Sequence, residues 1–272
     1  MILSTIRKAS ASLFLLATTF SHGSPLKADE TVVFFPTSAN LNESSKWEVP
    51  IHHWIFEKQE NGISQKLAQK LLAEIAETLD IPEEKVDTPI FQQRLMWFLV
   101  DNERNKKIGI VFDKSIKDES AKPLTISSAN GHADTIVKLP GSLKPGIWLN
   151  YQVPPSEENK NVYSGETQLI PKTGLSIISD IDDTVKISEV LDKKALIKNT
   201  FTEDYKSTDG MPAYYQKLKK HGAYFHYVSA SPWQLYPSIK PFMDQHYPPG
   251  TFSLRNFRLK DSSLIKFLQS SE

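Results

Sequence analysis

At 272 residues, with 39% hydrophobic and 10% aromatic content, the chain can form real cores in one large or two ordinary domains, which excludes a disordered polypeptide. Lys plus Arg and Asp plus Glu balance at 32 each, so bulk charge gives no ground for expecting nucleic acid or an acidic membrane surface as partner. There is no cysteine, hence no disulfide framework and no cysteine for a lipid anchor.

Residues 1–23 read as a secretory signal peptide: Arg7 and Lys8, an apolar run over 11–20, then small residues before a cut ahead of Ser24, with Ala28 as the alternative. That apolar run is about half the length a membrane span needs. The expectation is an exported chain, periplasmic or secreted, with no transmembrane segment once cleaved.

Residues 24–171 are expected to form a mainly β, sandwich-like domain with a helical insert. "TVVFFP" at 31–36 and "WEVPIHHWIFEK" at 47–58 read as strands, the second with His52 and His53 facing opposite sides. Over 63–79 the apolar residues recur at three- and four-residue steps, predicting an amphipathic helix after Gly62. Residues 91–100 satisfy helix or buried strand, and "DNERNKK" followed by "IGIVF" favours a hairpin with a strand before it. "PLTISS", the Asn130-Gly131 turn, "ADTIVKLP", "GIWLNYQVP" and "NVYSGETQLIP" follow at regular spacing, as in a sandwich.

From residue 172 to 272 the texture becomes α/β. The run "LSIISD" reads as a parallel strand covered on both faces, a helix over 211–222 follows, and "AYFHYVS" at 223–229 reads as a second buried strand. In such sheets ligands gather at the carboxyl ends of the strands. That is where Asp180 falls, with Asp182, Asp183 and Thr184 in the turn behind it. Carboxylates crowded there repel one another unless a positive group, such as a hard divalent cation, stands among them; the alternative is a solvated acidic turn or helix cap. Ser229 ends the second strand, while Ser231 and Pro232 suit a helix start, so a serine hydroxyl beside a helix N-terminus offers a phosphate cradle.

"SDIDDTVKIS" resembles the first motif of the haloacid dehalogenase superfamily, in the form used by the actin-patch phosphatidate phosphatase family. "MPAYYQKL", "YVSASPWQLYP", "PPGTFSLR" and "KDSSL" resemble further blocks of that family in the same order. The resemblance implies a haloacid dehalogenase-like α/β domain with a Rossmann-like parallel sheet, and Mg²⁺-dependent hydrolysis of a phosphomonoester through an aspartyl-phosphate. Phosphatidate at a membrane surface is the family's substrate, and a non-lipid monoester is the rival. Position by position, it implies Asp180 as nucleophile and Asp182 as general acid and later base, both associated with Mg²⁺. Asp183 and Thr184 would support the turn, and Ser229 would bind the phosphoryl oxygens, with Ser231 its near alternative.

The superfamily also uses a lysine beside the nucleophile and a late acidic motif after a fourth strand. Lys260, next to Asp261, is the candidate lysine, with an exposed Lys-Asp at a helix start as the plainer alternative. No late acidic motif precedes Glu272, so a truncated copy of a longer phosphatase is expected, or else an inactive truncated homologue acting as a binding module. Trp233, Tyr236, Tyr247 and Phe252 are expected in packing, with a lipid-facing groove as the alternative.

Overall fold

The computed structural model describes residues 23–57, 73, 76–77, 80–86, 88–113, 116 and 120–256. The expected signal peptide, nearly all of the expected helix over 63–79, and Lys260 with Asp261 lie outside the described residues.

A 12-residue strand organises the first half. β1 (Glu30–Phe35) runs antiparallel to the later part of β3 (Lys46–Glu57), and β2 (Thr37–Leu41) pairs with its beginning. Pro36, which has no N–H to give a ladder, separates β1 from β2. On the other edge of β3 lie β4 (Asp101–Asn102) and β7 (His132–Pro140). β2 also pairs in parallel with β9 (Tyr163–Leu169), which continues through β8 (Trp148–Val153) and β5 (Gly109–Phe112) to β6 (Lys122–Pro123). The strands expected of a sandwich are thus joined through β2 into one nine-stranded sheet.

Both faces of β3 are buried along most of its length, so its apolar residues fall on both parities. Trp47, Val49, Ile51 and Ile55 share a core with Phe34, Leu149, Tyr151 and Leu169. Phe35, Trp54 and Phe56, with the opposite parity, join a second core with Trp233, Tyr236 and Phe252. The turn ahead of β7 is fixed by Gly131 at φ +77°, where a Cβ would lie 2.3 Å from the Ile55 carbonyl oxygen.

Residues 91–100 form no hairpin with 109–112. Helix α2 (Pro89–Met96) follows the short α1 (Glu83–Val86), while β4 pairs with β3. Thr88 caps α2 and Pro89 sits in its first turn, a local start signal that outweighs the apolar run. Arg94 then donates to the carbonyls of Thr200 and Glu203 and stacks 3.8 Å from the Tyr205 ring centroid, fastening α2 to the second half of the chain.

That second half has a three-stranded parallel sheet in the order β10 (Ser176–Asp180), β11 (Tyr224–Pro232), β12 (Thr251–Arg255). Three helices connect it: α3 (Lys193–Phe201), α4 (Met211–Lys220) and α5 (Tyr236–His246). Phe225, Tyr227 and Phe252 on the sheet pack with Phe201, Tyr215, Ile239 and Phe242 from the helices. The carbonyl of Pro36 accepts the Phe252 N–H, joining β12 to the first sheet.

One expectation fails at β10. Ile178 is 76% exposed, so this strand is not covered on both faces among the described residues. The parallel pairing is as expected, but an apolar run does not reveal which of its faces receives a helix.

Candidate active site

Asp180 is the last residue of β10, and Ile181, completely buried, anchors the chain as it leaves by donating its N–H to Val228. A tight turn follows. Val185 and Lys186 both donate N–H groups to the Ile181 carbonyl, and Asp183 donates to Lys186 O at 2.7 Å. Asp183 adopts φ +57°, a conformation aspartate tolerates better than most residues. Thr184 is half-buried within this turn.

Lys186 returns underneath the carboxylates. It is 2% exposed, its ammonium lies 2.9 Å from Asp182 Oδ1, and it also donates to Ser188 Oγ. Ser188 Oγ donates to the same Asp182 oxygen at 2.7 Å. The other oxygen, Oδ2, accepts from Ser229 Oγ at 2.7 Å and Ser231 Oγ at 3.2 Å. Burial opposes ionisation of Asp182, but the Lys186 charge and the hydroxyls of Ser188 and Ser229 outweigh it and hold the carboxyl below its usual range.

Ser229 and Ser231 reach Asp182 because β11 is irregular. Its register with β12 shifts between Val228 and Pro232, so the intervening residues leave the ladder, as bulges beside sites commonly do to re-aim side chains. The Ser231 N–H also donates to Ser229 Oγ at 2.8 Å. Ser231 does not cap a helix: β11 runs on to Pro232, a 3₁₀ turn (Trp233–Leu235) follows, and α5 begins only at Tyr236. The expected cradle at a helix N-terminus is therefore replaced by two hydroxyls on a strand bulge.

Asp180 is placed differently. The residue is exposed, and partial burial and then the charges of Asp182 and Asp183 outweigh the neighbouring Ile181 N–H and hold its pKa above the usual carboxylate range. Asp183 turns away: its oxygens accept the N–H groups of Ser188, Glu189 and Val190, each at 2.7 Å. Burial pushes its pKa up, but these backbone bonds prevail and lower it.

Structure thus gathers Asp180, Asp182, Ser229 and Ser231 at one strand end. Lys260 lies outside the described residues; a lysine that sequence reasoning missed, Lys186, stands in the same "SDIDDTVKIS" segment four residues after Asp182 and pairs with it. Ser188 was passed over with it. The available signal was a lone lysine between Val185 and Ile187 in an acidic, otherwise apolar segment. No group of three or more His, Cys, Asp or Glu side chains able to hold a metal occurs among the described residues.

Trp233, Tyr236, Tyr247 and Phe252 are all buried, with Trp233 4.2 Å from the Phe35 ring, so they pack and form no open groove. His52 and His53 do face opposite ways: His52 meets Trp233 and bonds His132 at 3.0 Å, whereas His53 meets Phe34. His226, half-buried, contacts the hydroxyls of Thr251 and Ser176.

An open carboxylate at the carboxyl end of a parallel strand, beside a second carboxylate held by a buried lysine and three hydroxyls, makes this strand end the candidate site of an α/β protein. Residues 175–272 match the family described as "Phosphatidate phosphatase APP1, catalytic domain". The similarity to this family is confined to that segment, about a third of the chain. It is 36% identical over 88 residues to Phosphatidate phosphatase APP1 of Saccharomyces cerevisiae, an alignment covering 31% of this chain and 15% of the yeast protein. An uncharacterized protein of Schizosaccharomyces pombe is 32% identical over 100 residues, covering 35% of this chain and 16% of that relative. The similarity therefore concerns a small part of either relative.

Proposed function

We propose that this chain hydrolyses a phosphomonoester through an aspartyl-phosphate on Asp180, with phosphatidate as substrate and diacylglycerol and phosphate as products. The three-stranded sheet is then the core of a haloacid dehalogenase-like domain. The observation that carries this reading is the division of labour between neighbouring carboxylates: Asp180 is open to solvent, while Asp182 is held by Lys186, Ser188, Ser229 and Ser231.

In the first step an Asp180 oxygen bonds to phosphorus and the bond to the leaving oxygen breaks, with Asp182 giving that oxygen a proton. In the second, Asp182 takes a proton from water, whose oxygen attacks phosphorus and releases Asp180 and phosphate. The ionised resting state of Asp182 suits the base role. Its acid role requires it to take up a proton as the Ser229 and Ser231 hydroxyls turn from it to the phosphoryl oxygens. Lys186 supplies the fixed positive charge beneath both steps.

Mg²⁺ fits one part of this donor set better than the other. Both oxygens of Asp182 are engaged, whereas Asp180 offers an open hard oxygen under like-charge pressure from two aspartates. Asp180 would hold the cation, which when bound neutralises the phosphate so that an anionic carboxylate can approach it.

Phosphate release by the purified chain from phosphatidate in micelles with Mg²⁺, lost in Asp180→Asn, tests the reading. Release from soluble monoesters but not from phosphatidate would replace the substrate, and no release from either would overturn the hydrolase. The signal-peptide pattern over 1–23 supports export of this activity, and N-terminal sequencing of the mature protein would check it.

A further inference from the structure

Eight large apolar side chains are exposed among the described residues, and five of them (Leu175, Ile178, Ile187, Val190 and Leu191) fall within residues 175–191, around the candidate site. Leu191 is 102% exposed, and Ile187 and Val190 are 37% and 40% exposed. An ordered backbone presents them. Asp183 accepts the N–H groups of Ser188, Glu189 and Val190, and the Asn199 amide donates to the Ser188 carbonyl and to Glu189 Oε2. Asp192 closes the loop, donating its own N–H to Glu189 while its carboxylate caps α3 through Lys194 and Ala195.

Basic residues flank this apolar tip. Lys193 and Lys194 come directly after the cap, and Lys198 lies one helical turn beyond Lys194 on the same face. Lys85, Lys194 and Lys198 rim a cavity of about 180 Å³ whose walls include Ile81, Pro82 and Ile197. Two of the three are paired at the rim, Lys194 with Asp80 and Lys85 with Glu203. Two acids share this tip and keep their charge, but both carboxylates are drawn onto the protein, Glu189 by Asn199 and Asp192 by the helix N–H groups.

We infer that the loop over 187–191, together with the lysines of α3, is a docking surface for an anionic lipid bilayer. Val190 and Leu191 enter the acyl boundary while Lys193 and Lys198 meet headgroups. The inference rests on the proposed phosphatidate reading for its purpose, because Asp183 couples this loop to the turn that carries Asp180 and Asp182. Docking there would bring the open carboxylate to a phosphate lying in the plane of the membrane. Loss of two buried aliphatic side chains, or reversal of two charges near an anionic surface, each weakens partitioning at least about tenfold.

Flotation of the full chain with phosphatidylcholine vesicles, with and without phosphatidylserine, tests the docking without requiring turnover. The wild-type protein is expected to float with the anionic vesicles and less so at high salt. A Val190→Ser/Leu191→Ser variant and, separately, a Lys193→Glu/Lys198→Glu variant are expected to lose at least about tenfold in partitioning with unchanged thermal unfolding. Absence of wild-type flotation, or equal flotation of both variants, would overturn the docking surface. Floating protein that releases no phosphate would sustain docking while removing the hydrolase reading. Protein that hydrolyses a soluble monoester but never floats would do the reverse.

Discussion

The ammonium of Lys186 lies 2.9 Å from the carboxylate of Asp182, and the lysine is 2% exposed. The pair is local in sequence, four residues apart, yet its burial depends on β11 and the ring of Tyr205, whose centroid is 5.1 Å from the ammonium. Removing one partner of a buried pair leaves the other charge in a poor solvent, at a cost of roughly 3–5 kcal/mol. Lys186→Met is therefore expected to lower stability by about that amount in urea unfolding, and to be partly rescued by Asp182→Asn. Additive losses in the double variant would show that the two groups are not coupled.

Ser229 donates to the anchored carboxylate from a strand bulge, and under the proposed function its hydroxyl would turn to a phosphoryl oxygen. Ser229→Ala is expected to lower kcat/KM by about ten- to a hundredfold, roughly 1.4–2.7 kcal/mol, with a native circular dichroism spectrum. Ser231→Ala, whose contact is 3.2 Å, should cost less. The opposite order would exchange their roles.

Acid should loosen the packing on both faces of β3. Burial lowers the pKa of His52 and His53 to about 4 and, with the neighbouring histidines, that of His132 to about 3. An unfolded histidine titrates near 6.5, so below that pH the unfolded chain binds more protons and stability falls as pH drops from about 6.5 towards 4. Each histidine contributes at most roughly 3 kcal/mol to that loss. His53 has no hydrogen-bond partner for either ring nitrogen among the described residues, so His53→Leu should preserve stability at neutral pH and flatten the acid limb. Denaturant midpoints across this range check it, and an unchanged acid limb would count against the assignment.

Gly131 is the sharpest backbone constraint in the first sheet. A methyl group there would meet the Ile55 carbonyl oxygen at 2.3 Å, on a backbone at φ +77°. Gly131→Ala is expected to destabilise by roughly 1–3 kcal/mol or more in thermal or urea unfolding. A neutral result would mean that the turn can shift without disturbing β3.

Much of the site was legible because its signals are local. An apolar run ending in acids gave the end of β10 at Asp180, and the next buried run gave β11 with Ser229. Less legible were the features where two local signals compete. Residues 91–96 carry an apolar run that suits a strand, but Thr88 and Pro89 start a helix that Arg94 then fastens to α3. Ser231 and Pro232 read as a helix start, but the pairing of Pro232 with Arg255 of β12 keeps them in the strand.

By itself the sequence determined the two strands that carry the candidate site and the chemistry of the turn, because apolar runs, proline, and the left-handed tolerance of aspartate and glycine act within a few residues. Only the tertiary structure decided which charges meet and which faces are covered. Lys186 is buried against Asp182, both faces of β3 are buried, and Ile178 on β10 is left open among the described residues. Those outcomes depend on desolvation and packing between segments far apart in the chain, energies that no short stretch of residues contains.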